Sequence, residues 1–123
     1  MKFFKNENGE NLALLLKSGK TEAALDACLK EVSANTTDAA VEKHVPVVTV
    51  DGDKVTVAVG SVEHPMQEEH FITFIALETR KGIQIVNLEP GEKPAAEFIV
   101  AQGDAPVAAY EFCNLHGLWK AEI

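Results

Sequence analysis

The sequence predicts a mainly β protein, an antiparallel sandwich preceded by a small N-terminal extension. Three observations carry this. Past residue 44, short β-branched runs alternate with turn residues, and the turn signals return about every 8 to 12 residues, the spacing of sandwich folds. The stretch Asp51-Gly52-Asp53-Lys54 joins two such runs as a hairpin turn. The first 40 residues lack this alternation and are instead rich in Leu and Ala. With 46% hydrophobic and 24% charged residues, the chain has enough apolar material for a core and is not disordered by composition.

In chain order, Leu12, Leu14, Leu15 and Leu16 followed by Lys17-Ser18-Gly19-Lys20 read as a short strand or a turn of helix ending at the glycine. Thr21 and Glu22 open a helix whose Ala23, Ala24, Leu25, Ala27, Cys28 and Leu29 are good helix formers, with its end expected near Ser33 to Thr36. Strands follow at Val45 to Val50, Val55 to Val59, Phe71 to Thr79, Ile83 to Leu88, Ala95 to Ala101 and Pro106 to Cys113. Arg80-Lys81-Gly82, Glu89 to Pro94, and Gly103-Asp104 separate the later ones. Six or seven strands form one sandwich. A length of 123 residues fits one domain, or a domain of about 85 to 90 residues with an appendage.

Charge narrows the function. The formal net charge is −8, and the 11 basic residues are dispersed, which argues against nucleic-acid binding, where clustered cations must face phosphates. No apolar run reaches the roughly 20 residues that cross a bilayer, and no membrane partner is expected. Met1-Lys2-Phe3-Phe4-Lys5 leads into polar residues rather than a signal-peptide core, so a cytoplasmic location is expected. That location disfavours a disulfide between Cys28 and Cys113. No G-x-G-x-x-G follows a strand, so no nucleotide cofactor is indicated.

The chemistry sits in Cys113-Asn114-Leu115-His116, directly after the strand-like run Val107 to Phe112. A thiolate and an imidazole at this spacing can face one point at a strand end, and they suit iron, copper or zinc better than calcium or magnesium. Alone, a Cys-x-x-His pair is more often a buried thiol beside an ordinary histidine. The other histidines change the balance: His44 precedes a β-branched run, and His64 and His70 bracket the loop Pro65-Met66-Gln67-Glu68-Glu69. One Cys and four His make five donors, more than a tetrahedral structural zinc uses and one short of an octahedron. Met66 reads as packing, Pro65 as fixing the loop that aims His64, and Glu63, Glu68 and Glu69 as solvated surface. Trp119 reads as a lid on the sandwich edge rather than a redox relay, and Cys28 as a small buried residue.

Four stretches in order, Glu42-Lys43-His44-Val45-Pro46-Val47-Val48, Val59 to Met66, His70, and Cys113 to Lys120, resemble the superoxide reductase family of desulfoferrodoxin and neelaredoxin. The likeness covers about residues 35 to 123. It implies an immunoglobulin-like sandwich over residues 37–123. It also implies one mononuclear non-haem iron per chain, with His44, His64, His70 and His116 in a plane, Cys113 thiolate axial and the sixth position open. Backbone N–H groups of Leu115 and His116 would tune the sulfur. The implied reaction is one-electron reduction of superoxide to hydrogen peroxide, without dismutation. Lys43 would steer the anion, and the Glu42 carboxylate would close on the metal after product leaves. The electron would come from a small donor such as rubredoxin, and the chain would form a homo-oligomer, a dimer or tetramer. Residues 1–36 resemble the rubredoxin- or desulforedoxin-like module of two-iron members with its cysteines gone. Asn6 and Gly9 stand for one Cys pair and Ala24 and Leu25 for another, so a metal-free extension is expected. The competing reading is a non-enzymatic iron- or zinc-binding or electron-transfer module built on the same ligands.

Overall fold

In the computed structural model, which describes residues 1–9, 11–16 and 29–123, the alternating runs become strands in two separate units, Met1–Ser33 and Ala34–Ile123. In the first unit, β1 (Phe3–Asn6) lies between β2 (Leu12–Leu14) and β3 (Leu29–Val32), antiparallel to both. Phe3 and Phe4 are its buried side chains. Leu29 to Val32 is therefore strand, where helix propensity predicted the last turns of a helix. Pairing with β1, Phe3 opposite Val32, overrides a weak local preference. The rest of that predicted helix, with Ala24, Leu25 and Cys28, falls outside the described residues.

The second unit opens on a four-residue helix, α1 (Val41–His44), and continues as β4 (Pro46–Asp51), β5 (Lys54–Val59), β6 (Ile72–Thr79), β7 (Ile83–Asn87), β8 (Ala95–Ile99), β9 (Pro106–Cys113) and β10 (Gly117–Glu122). Two antiparallel sheets result, one in the order β4-β5-β8 and the other β10-β9-β6-β7. Period-two burial makes the sandwich. Val55, Val57 and Val59 of β5 point inward and meet Ile72, Ile75 and Leu77 of β6, with Phe98, Ala109 and Cys113 in the same cluster. The sandwich matches the predicted fold class, and every predicted strand of residues 45 to 113 is present to within a few residues.

β10 was not predicted. It closes an edge, pairing along β9 from Gly117 opposite Cys113 to Glu122 opposite Ala108. Asn35 covers its free side. The Asn35 N–H donates to the Leu118 carbonyl, its side-chain oxygen accepts from the Lys120 N–H at 2.8 Å, and its amide donates to the Lys120 carbonyl. An edge occupied in this way is not open to another strand. Among the described residues no helix is long and apolar enough to cross a membrane.

Candidate metal centre

Strand ends position the donors. His44 is the last residue of α1, two residues before β4 begins at Pro46, while His64 and His70 lie on the β5–β6 connection. Cys113 ends β9, and His116 sits in the tight turn to β10, where Gly117 adopts a φ of 76° that favours glycine. One donor atom from each of the five residues falls within 4.8 Å of every other. All the ligand-type residues that the sequence singles out therefore meet at one end of the sandwich. A shallow cavity of about 420 Å³ lies at the opposite end, lined by Gly52, Asp53, Val100 and Asp104 among others, and offers no His or Cys.

Hydrogen bonds decide which nitrogen each ring presents. His44 Nδ1 lies 2.7 Å from the Ala40 carbonyl and His64 Nδ1 lies 2.7 Å from the Pro65 carbonyl, so each Nδ1 carries the proton and donates it. The Nε2 lone pairs are left facing inward, 3.3 Å apart. His116 turns its Nδ1 inward instead, 3.1 Å from His44 Nε2 and 3.7 Å from Cys113 Sγ, because the three-residue spacing brings that atom round first. His70 Nε2 is buried with no hydrogen-bond partner. Converging bare lone pairs repel each other unless a cation lies between them. An orphaned buried nitrogen beside a thiol in a nitrogen-rich cluster fits a transition ion such as iron.

Electrostatics agree with that fit. Burial, the largest cause, lowers the pKa of His44, and the proximity of His116 and His70 lowers it further, against the Ala40 hydrogen bond and Glu42. Burial also carries His64 down to about 4 and lowers His70. These rings are neutral at neutral pH, the form in which an imidazole can hold a metal. Burial pushes the Cys113 thiol up, with Glu111 adding to it, while the backbone N–H groups of Leu115 and His116 pull it down. Those two amides are the ones expected to tune the sulfur. Thiolate formation in so dry a place needs a nearby cation.

A pH prediction follows. His64 is neutral when folded and protonated when unfolded between pH 6.5 and about 4, so its contribution to stability is full above 6.5 and is lost as pH falls through that window. The shift amounts to about 3 kcal/mol at most. In chelator-treated protein, the stability of wild type relative to His64→Gln should drop between pH 7 and 4.5, read from urea midpoints. A difference that grows on acidification would contradict the buried neutral ring.

Asn114 and Glu111 are neighbours with no predicted role. Asn114 staples two ligand loops together: its side-chain oxygen accepts from the Phe71 N–H at 3.0 Å, its amide donates to the Glu69 carbonyl at 3.1 Å, and its own N–H donates to the Phe71 carbonyl. His70 is further held by reciprocal 3.0 Å backbone bonds with Gln67. Met66 is packing, as read, with its sulfur accepting from the Ile72 N–H. Trp119 lies on the edge strand β10, in keeping with its reading as a packed residue at the sandwich edge; it is 2% exposed and its ring lies against His44. Glu111 is wholly buried, two residues before Cys113, and neither carboxyl oxygen has a partner. Counting by twos back from Cys113 would have placed it inside. Glu42 and Lys43 are exposed on α1 beside His44, and the Lys43 charge helps to lower the His70 pKa.

A family model described as Desulfoferrodoxin matches residues 36–122. The desulfoferrodoxin of Clostridium acetobutylicum is 42% identical over 125 residues, covering 100% of this chain and 97% of that protein. A protein named superoxide reductase from Thermococcus kodakarensis is 35% identical over 99 residues, covering 67% of this chain and 86% of its own length. Among solved structures, the superoxide reductase from Treponema pallidum superposes with a TM-score of 0.78 at 41% identity, over 99% of this chain and 100% of that one.

Proposed function

The chain belongs to the desulfoferrodoxin family, and from that premise we propose that it is a superoxide reductase, acting through one iron held by His44, His64, His70, His116 and Cys113. The observation that carries the reading is the convergence of these five donors within 4.8 Å. Five is more than a closed tetrahedral zinc site uses, and the set leaves room for a small ligand. When bound, iron would supply the one-electron chemistry that takes superoxide to hydrogen peroxide, two protons coming from water.

The protein residues do the rest. Carbonyl-anchored His44 and His64 hold their Nε2 atoms inward, and the amides of Leu115 and His116 steady the Cys113 sulfur. Lys43 offers a local positive charge to superoxide against an overall charge of −8, and its exposure leaves it free to meet an incoming anion. Glu42, on the same turn, would be a further carboxylate able to hold the metal. The electron comes from outside, because two cysteines in the whole chain cannot build a second four-cysteine iron. A small iron–sulfur carrier such as rubredoxin fits that need.

The test is metal analysis and an optical spectrum before and after oxidation, followed by rapid mixing with superoxide. About one iron per chain is expected, with a sulfur-to-ferric band in the visible that Cys113→Ser abolishes. Peroxide should form without oxygen evolution. Lys43→Ala should keep the band and slow the reaction with superoxide about tenfold or more, in the range by which steering charges act, with a weaker ionic-strength dependence. Stoichiometric zinc, and no such band after reconstitution with iron, would leave only a metal-binding module.

A further inference from the structure

We propose that Trp119 is a positioning residue for the metal centre, a single buried indole that ties His44 to His116 and so sets two ligands contributed by opposite ends of the sandwich sequence. The inference rests on the reading that these histidines hold a metal. It goes beyond that reading by assigning their alignment to a side chain that donates no ligand.

Three observations combine. The Trp119 ring stacks on the His44 imidazole with centroids 4.9 Å apart and planes 26° from parallel. Its Nε1–H donates to the His116 carbonyl at 3.1 Å. Its backbone belongs to β10, paired opposite Glu111 of β9, so strand pairing rather than a loop fixes where the indole sits.

The stack supplies a restraint that the other contacts leave open. The bond from His44 Nδ1 to the Ala40 carbonyl fixes one point of that ring but allows it to rock about the bond. A flat indole face against the imidazole removes this freedom and keeps Nε2 aimed at the cluster. On the other side, His116 lies in a turn of three residues between β9 and β10, and the indole hydrogen bond holds the carbonyl of that turn. Ring and turn are thus referred to one rigid body. The His44 and His116 imidazoles cross nearly perpendicular, at 88°, and the indole touches the ring of the first and the carbonyl of the second. Partners that orient ligands in this way are worth about 10- to 100-fold in metal affinity when removed.

The test uses the full chain as wild type, Trp119→Phe and Trp119→Leu, titrated with cobalt(II) against a competing chelator. Cobalt reports its own surroundings through its visible ligand-field bands. Because Trp119 is the only tryptophan, fluorescence excited at wavelengths that Tyr110 does not absorb reports this stack alone. Filling the wild-type site should quench that fluorescence with a stoichiometry of one. Trp119→Leu should bind cobalt about 10- to 100-fold more weakly and shift the ligand-field bands. Trp119→Phe keeps a ring against His44 and loses only the donor, so it should fall between, with bands near those of wild type and faster cobalt release. Changed bands separate positioning from plain loss of stability, which lowers affinity without altering the spectrum of the filled site. Unquenched fluorescence on filling, or Trp119→Leu with wild-type affinity and bands, overturns the proposal. If the Leu variant does not fold, Trp119→Phe decides: wild-type affinity and release rate would remove the indole donor from any positioning role. Wild-type protein that takes up no cobalt would instead count against the metal centre itself.

Discussion

Gly60→Ala should destabilise the protein by about 3 to 5 kcal/mol, the sum of left-handed backbone strain and a steric clash with main chain. Gly60 follows β5 with a φ of 81°. A Cβ there would lie 2.6 Å from the Glu42 carbonyl oxygen and 2.8 Å from the Lys43 carbonyl carbon, and would also run into the Val62 carbonyl. None of these atoms is the far end of a flexible side chain that can swing away. The same turn grips α1 from outside: the Val62 N–H and the Ser61 hydroxyl both donate to the Glu42 carbonyl. Gly60 is therefore the space into which the Glu42–Lys43 backbone settles before His44 enters the site. Gly52→Ala is the control, because Gly52 also has a positive φ, 62°, but nothing lies within 4 Å of its missing Cβ. That variant bears the strain alone, about 1 to 2 kcal/mol. Thermal or urea unfolding of both variants separates the two causes, and equal losses would show that the contact with α1 contributes nothing. On the proposed function, Gly60→Ala should also slow the reaction with superoxide, since moving the Glu42–Lys43 backbone moves Lys43.

Legibility in the sequence followed the strength of the physical constraint. The six strands from β4 to β9 were readable because one face of each is buried, which forces period-two alternation such as Val55, Val57, Val59. The five donors were readable because histidines and a cysteine beside strand ends have few other reasons to recur in that order. β10 escaped because Leu118 and Trp119 are adjacent and both buried, which breaks alternation, and the clamp from Asn35 that secures the strand is 83 residues away from Leu118. Leu29 to Val32 was misread because its neighbours are good helix formers, and only pairing with β1 shows otherwise. Asn114 and Trp119 were visible as letters, but their roles depend on contacts across the turn that spacing alone does not reveal.

Glu111→Gln should make the protein more stable, by a margin that widens as pH rises. Glu111 faces inward on β9, opposite Ile75 on one side and Trp119 on the other, and no described group hydrogen-bonds its carboxyl. Burial pushes its pKa from 4.5 to about 9. In the fold the carboxyl keeps its proton where the unfolded chain has released it. The folded state thus binds more protons between those values, and stability falls as pH rises from 4.5 to about 9. Full expression of that shift is about 6 kcal/mol, a ceiling that water entering the core or a small rearrangement would reduce. Glutamine has nearly the same shape and no ionised form, so the variant should lose this slope. The difference in unfolding free energy between variant and wild type, read from urea titrations, should be near zero at pH 4.5 and reach several kcal/mol at pH 9. A pH-independent difference would mean that Glu111 is already ionised in the fold, held by a partner such as the metal centre. The consequence for chemistry runs through Cys113, whose thiol only an ionised Glu111 would push up. That influence is Coulombic and acts only where Glu111 is ionised, so Glu111→Gln should leave the pH at which metal is released on acidification unchanged. A buried acid placed two residues before the sulfur thus lowers the stability of the fold as pH rises while its protonated form leaves the thiolate alone, and one substitution read against pH separates a cost to folding from a cost to metal binding.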